Sequence, residues 1–197
     1  MVCLLFAACQ SGSRRYNLTS TGYLSPVVSE AARFYIDTLH TGLENPWGMV
    51  WLPDGRALIT ERRGDILIFK DGQYTGRHLT NLSPVYARGQ GGLMDIQLHP
   101  DYPDNGWIYI SYAKPGPAGG GTALARFRLS GEQVIDFEIL YETTPQVSAG
   151  IHFGSRITFD KDGYVYFSTG ERGQKDNAQD LSNDLGKIHR LYDDGRI

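Results

Sequence analysis

The chain is 197 residues long, 41% hydrophobic and 21% charged, with a net charge of −3. That length suffices for one ordinary domain with a core of its own. The absence of any basic block excludes nucleic-acid binding through a phosphate-neutralising face, and an abundance of glycine and tyrosine favours strands joined by tight turns.

The N-terminus reads MVCLLFAACQSGSRRYN. An apolar run ends in Ala7 and Ala8, then Cys9, then a polar stretch, which resembles a bacterial lipoprotein signal with Cys9 as the lipid acceptor. No Lys or Arg precedes the run, and the run is short. A start placed too late accounts for both, and an ordinary frayed N-terminus is the alternative. The expected organisation is a signal segment over 1–9, a flexible tether over 10–32 and a globular domain over 33–197. Both cysteines, Cys3 and Cys9, lie in the leader. The body therefore has no internal disulfide, thiolate nucleophile or Cys-ligated zinc, and no apolar run is long enough to span a bilayer as a helix.

Beyond Arg33 one unit recurs three times: Trp47 to Gly72, Gly91 to Lys114 followed by TALARFRLSG, and Phe153 to Gly173 followed by GKIHRLYDDG. Each begins with Gly and a short apolar strand, turns at Asp, Asn, Pro or Gly, and continues into an aromatic or β-branched strand. Ile66–Phe69 and Val165–Phe167 are strand-like runs bounded by turn residues. Asp54-Gly55, Asn105-Gly106 and Asp162-Gly163 predict hairpin turns, because Gly and Asn tolerate positive φ. PGPAGGGT, Pro115 to Thr122, predicts a flexible connection; it lacks the Lys-Ser/Thr ending of a phosphate loop. Three copies of one strand-turn-strand signature suit β-propeller blades better than a sandwich. Three blades cannot close a ring, so the expectation is an N-terminal fragment of a longer chain; assembly from two such halves is the other option.

Four stretches carry a family resemblance: LENPWGMVWLPDGRALITER, GQGGLMDIQLHPDY, IHFGSRITFDKDGYVYFSTGERG and AQDLSNDLGKIHRLYDDG. Together, from about Leu43 onward, they resemble the soluble quinoprotein glucose/sorbosone dehydrogenases, and among those the bacterial aldose sugar dehydrogenases. The resemblance implies an all-β, six-bladed β-propeller of which this chain supplies about the first three blades. It implies pyrroloquinoline quinone bound above the central channel, with calcium. It implies oxidation of the C1 hydroxyl of an aldose to a lactone, hydride passing to the quinone and electrons then to a quinone pool or cytochrome. The setting implied is the periplasmic side of a bacterial envelope, with membrane contact only through a lipid anchor. His152 matches the family's general base and Gln90 a residue beside base and cofactor; Glu171 and Arg172 follow in a loop that is a candidate cofactor contact. The main cofactor and calcium ligands belong to later blades, so no metal ligand is assigned here and the fragment alone is expected to be inactive. Ile151 stands where one branch of the family has an acidic residue.

The residue types suit that chemistry. A base must take the hydroxyl proton as hydride leaves C1, and histidine has the matching pKa range. Gln90 can donate and accept, so it can hold substrate, cofactor or His152 in register. Gly89, Gly91, Gly92 and Gly154 would let backbone approach a flat cofactor. Against these stand plainer readings: His152 as a strand-leading histidine bonded to backbone, Gln90 as a solvated turn residue, Glu171 and Arg172 as solvated loop charges. Arg156 is read as pairing with Glu171 or Asp95, His99 as a structural turn residue, and Trp47 as packing between blades. DKDG, Asp160 to Gly163, lacks the further ligands of a calcium loop; DNAQDLSND, Asp176 to Asp184, is rich in oxygen ligands but reads as a solvated loop. A non-catalytic carbohydrate- or protein-binding propeller is the alternative function, since a related domain in Hedgehog-interacting proteins serves binding. A metal-dependent lactonase would need carboxylates where Gly48, Gly92 and Gly154 stand.

Overall fold

The computed structural model describes residues 26–36 and 38–197. The leader with Cys3 and Cys9, and residues 10–25 of the tether, lie outside the described residues. The chain divides into two units between Leu39 and His40. In the first, β1 (Val27–Val28) pairs antiparallel with β2 (Arg33–Phe34). The Ser29 hydroxyl closes their turn, accepting from the Ala32 N–H at 3.0 Å. The boundary expected at Arg33 falls inside this hairpin, because the turn lets the two short strands satisfy each other's backbone groups.

The second unit holds three sheets. The first is β3 (Pro46–Trp51), β4 (Arg56–Glu61), β5 (Ile66–Lys70) and β6 (Gln73–His78). The second is β7 (Leu93–Leu98), β8 (Ile108–Gly116), β9 (Gly119–Ser130) and β10 (Gln133–Glu142), with one helical turn, α1 (Tyr102–Asn105), between β7 and β8. The third is β11 (Gly154–Phe159), β12 (Tyr164–Thr169) and β13 (Ile188–Tyr192). Each sheet is an antiparallel meander in chain order, and β7 packs beside both β3 and β11. The three repeats are thus three successive sheets with β3, β7 and β11 innermost.

Burial follows the stacking. The first six residues of β8, Ile108 to Ala113, are all buried, because sheets cover both faces of the middle one. In β12 burial alternates residue by residue, Val165, Phe167 and Thr169 inward, as a strand packed on one face requires. Val50, Leu58, Ile68, Ile96, Ile110 and Phe127 form the core between the first two sheets. Trp107, Tyr109, Leu124, Ile157, Val165 and Phe167 form that between the second and third.

One device recurs where the sheets meet. Each innermost strand carries an extra residue at the same level: the register shifts between Pro46 and Met49, between Leu93 and Ile96, and between Gly154 and Ile157. Such bulges free backbone groups from the ladder and sharpen the twist. A hydroxyl on the preceding sheet takes the freed carbonyl. Thr60 on β4 donates to the Met94 carbonyl at 2.6 Å and accepts from the Gly48 N–H at 2.9 Å. Ser111 on β8 donates to the Ser155 carbonyl at 2.7 Å and accepts from the Asp95 N–H at 3.1 Å. Buried backbone groups cannot be left unpaired, so bulge and hydroxyl come as a set. On the far rim His99 ties the second sheet to the third: Nε2 meets Asp193 at 3.2 Å and Nδ1 accepts from the Asp101 N–H at 3.0 Å, a structural role as expected.

Two turn assignments need correction. Asn105-Gly106 does not form a tight hairpin; it ends α1, Gly106 taking φ 70° as the cap. The Pro115–Thr122 stretch is not a flexible connection. β8 and β9 run through it, and Gly116 pairs with Gly119 across a two-residue turn. Its glycines serve close packing, since a β-carbon on Gly120 would lie 2.4 Å from the Tyr86 ring.

Thr60→Val should orphan the Gly48 N–H and the Met94 carbonyl and lower unfolding free energy by about 1–3 kcal/mol. Thr60→Ser should restore most of the loss. Urea denaturation of the two variants measures this.

Candidate active site

The loops that lead into the innermost strands meet in a cleft of about 490 Å³. Trp47 and Arg62 come to it from the first sheet, Gln90 and Met94 from the second, His152 and Phe153 from the third. The topology places these loops on one rim, because β3, β7 and β11 all start there.

His152 and Gln90 are 62 positions apart in sequence, yet the His152 N–H donates to the Gln90 amide oxygen at 2.8 Å. The His152 backbone is left-handed, φ 53°, a conformation that costs a residue with a β-carbon about 1–2 kcal/mol. Two contacts hold it there: the bond to Gln90, and Gly170, where a β-carbon would lie 1.9 Å from the His152 carbonyl oxygen. The imidazole Nδ1 meets the Glu171 carboxylate, which also accepts from the Gly173 N–H at 3.1 Å. The bond to His152 holds the Glu171 carboxyl below the usual carboxylate range. Among the described residues Nε2 has no hydrogen-bond partner, and the side chain is 49% exposed.

Arg172 is not a solvated loop charge. It is 2% exposed, and its guanidinium lies 3.5 Å from the Phe153 ring centroid. Nε donates to the Ile151 carbonyl at 2.8 Å, Nη1 to the Gly120 carbonyl at 2.8 Å, and Nη2 to the Ala149 carbonyl. Burial pulls its pKa down to about 10, which still leaves it charged at neutral pH. Its place is behind the cleft wall, where it holds the 149–153 loop that carries His152. Arg156 pairs with Asp95 at 3.1 Å and not with Glu171. Only the Asp95 end of that pair is buried: its side chain is 1% exposed against 64% for Arg156. Burial raises the Asp95 pKa.

The glycines expected to admit a cofactor admit protein instead. A β-carbon on Gly89 would lie 2.2 Å from the Gly150 carbonyl, on Gly91 2.5 Å from the Phe153 ring, on Gly92 2.0 Å from the Arg62 carbonyl and on Gly154 2.6 Å from the Ser168 carbonyl. They let neighbouring loops interlock, and that interlock builds the rim.

Residues 43–197 match the family described as glucose/sorbosone dehydrogenase. The chain belongs to that family. Aldose sugar dehydrogenase YliI of Escherichia coli (strain K12) is 39% identical over 166 residues, covering 82% of this chain and 45% of the relative. A crystal structure of a glucose dehydrogenase superposes with a TM-score of 0.78 at 34% identity, over 82% of this chain and 48% of the other. The PQQ-bound form of an aldose sugar dehydrogenase from Streptomyces coelicolor superposes with a TM-score of 0.63 at 31% identity, over 81% and 48%. The chain thus spans about half the length of the relatives it matches. Its three sheets are blades of the family's β-propeller.

In this cleft, Met94, Phe153 and Arg62 escaped the sequence reading, and Trp47, read as packing between blades, is a lining residue. Trp47 faces the cleft, with the Arg156 guanidinium 4.9 Å from its ring centroid. Aligning the three repeats on Met49, Ile96 and Ile157 would have put Trp47 and Met94 at one level, the first residue of each bulge. Arg62 lies in Glu-Arg-Arg-Gly, which reads as an exposed turn. Among the described residues no group of three or more His, Cys, Asp or Glu side chains is placed to hold a metal ion.

Arg172→Met should leave three carbonyls without donors and lower stability by on the order of 3 kcal/mol. Hydrogen exchange should accelerate over residues 149–153 while β4 and β5 keep their protection.

Proposed function

We propose that the full protein oxidises the C1 hydroxyl of an aldose to the lactone with pyrroloquinoline quinone as oxidant, and that this chain supplies the base side of the site. The arrangement of His152 carries the reading. A carboxylate can only accept, so the neutral ring keeps its proton on Nδ1 against Glu171 and offers the Nε2 lone pair, on a side chain that lines the cleft. Nε2 takes the hydroxyl proton while the C1–H bond breaks with its electron pair and the C1=O bond forms, and Glu171 stabilises the imidazolium that results.

Gln90 uses its amide oxygen on the His152 N–H, which leaves its two amide protons for a sugar hydroxyl or a quinone oxygen. Arg172 acts through the loop and touches no reacting atom. The cleft suits a planar polar group: Trp47 offers a ring surface, and among the described residues Arg62 Nε is buried without a partner. When bound, the quinone supplies the two-electron acceptor. Its further contacts, and those of calcium, belong to the remaining blades in this reading. The apolar-to-small pattern ending at Cys9 supports a lipid anchor on the periplasmic side, with electrons passing on to a quinone pool or cytochrome.

The test is dye reduction by the full-length protein loaded with pyrroloquinoline quinone and calcium. His152→Ala should lower kcat by about 10²–10⁴ with an unchanged melting temperature. Undiminished turnover would reject the base, and no reduction by the unaltered protein with any aldose would favour a binding propeller. Glu171→Gln should lower kcat with little change in KM, and imidazole ¹⁵N shifts should show the Nδ1-protonated tautomer losing its dominance.

A further inference from the structure

Three arginines stand at or just behind the cleft, and two have their charge answered. Arg156 has the buried Asp95 carboxylate, and Arg172 has three carbonyls. Arg62 is different. Its Nη1 donates to the Gly89 carbonyl at 2.7 Å. Among the described residues its Nε is buried with no partner. Among the described residues no ion pair includes it, and the acid that meets His152, Glu171, is already taken by that imidazole and the Gly173 N–H.

The side chain is nevertheless held in place. The Arg62 N–H donates to the Asn45 carbonyl at 3.3 Å, and the Arg62 carbonyl accepts from the Leu93 N–H at 3.0 Å. Gly92 leaves room for its stem, since a β-carbon there would lie 2.6 Å from Arg62 Cγ. Half-burying a guanidinium without a counter-charge is unfavourable. A rigid planar fork with unused N–H groups matches a carboxylate in two-point geometry.

We infer that Arg62 makes this cleft a carboxylate-binding site and positions a carboxylate-bearing ligand for the reaction. The inference rests on the reading of the cleft as the quinone and sugar site. Two ligands could bring the carboxylate: the acidic planar cofactor, or an acidic sugar such as a uronate. Neither source requires a new chemical step.

The test uses the full-length protein, its Arg62→Gln and Arg62→Lys variants, and Arg62→Met as a second neutral variant that keeps the stem packed on Gly92 should the glutamine form not fold. Apo-protein melting temperatures check folding. Calorimetric titration with trimesate, an aromatic tricarboxylate, reads carboxylate recognition without any turnover. The neutral variants should bind trimesate about 10- to 100-fold more weakly, the loss of one charge-assisted contact, with Arg62→Lys between. Equal affinity in a folded neutral variant and the unaltered protein, or no trimesate binding by the unaltered protein, would overturn the inference.

Two further arms identify the source. A matching loss in pyrroloquinoline quinone affinity, with KM equal for neutral aldose and uronate, assigns the carboxylate to the cofactor. Unchanged quinone affinity with a tenfold rise in KM for uronate alone assigns it to the substrate. An equal rise in KM for neutral and acidic sugars with quinone affinity intact would reject both and leave Arg62 a brace for the Gly89 loop. If the unaltered protein binds trimesate through Arg62 but oxidises no sugar, the dehydrogenase reading fails and carboxylate recognition stands.

Discussion

The Arg172 guanidinium has exchanged water for three carbonyls and an aromatic face, and the active rim depends on that exchange. An arginine needs many acceptors to be buried, and here the acceptors come from two sheets: Gly120 from the hairpin of the second, Ala149 and Ile151 from the strand-less segment before the third. Without it, nothing in that segment resembles a regular element. With it, the backbone on either side of His152 is fixed well enough to keep a left-handed residue in place. The charge next to it in sequence, Glu171, points the other way and meets the imidazole. Neighbouring residues of opposite charge therefore divide the work: one holds the main chain, the other meets the ring.

Below the rim, sheet stacking is governed by the bulge and the hydroxyl that answers it. Thr60 and Ser111 stand at equivalent levels of successive sheets and close equivalent gaps. The repetition gives the cleft contributions from all three sheets at one height. It also explains why Gly48 is a glycine: a β-carbon there would lie 3.0 Å from the Ile96 nitrogen and 3.1 Å from the Asp95 carboxylate. The middle sheet, covered on both sides, is the apolar centre of the assembly.

Much of this was legible in the sequence because it depends on local rules. Strand runs, Asp-Gly turns and the threefold recurrence reflect burial periodicity and positive φ, and the sheets fall where those signals lie. The pairing of His152 with Gln90 was accessible only through family resemblance, since no local rule brings residues of different sheets together. What remained hidden is what long-range packing decides. The glycine-rich Pro115–Thr122 stretch has the composition of a loop but needs its glycines to lie flat against Tyr86. Arg172 has the composition of a surface charge but is enclosed by chain from two other loops. Arg62 sits in a charged turn whose orientation is fixed by Gly92, a residue thirty positions away.

The link between His152 and Gln90 has one more consequence. It spans the seam between the second and third sheets, so the imidazole has a reference point on each side of that seam. At the other end of the same seam, Tyr109 donates to the Asp193 carbonyl at 2.6 Å and Arg126 to the same oxygen at 3.1 Å. The seam is thus pinned at both rims, by the His152–Gln90 bond at the cleft and by Tyr109 and Arg126 on the Asp193 carbonyl at the opposite end.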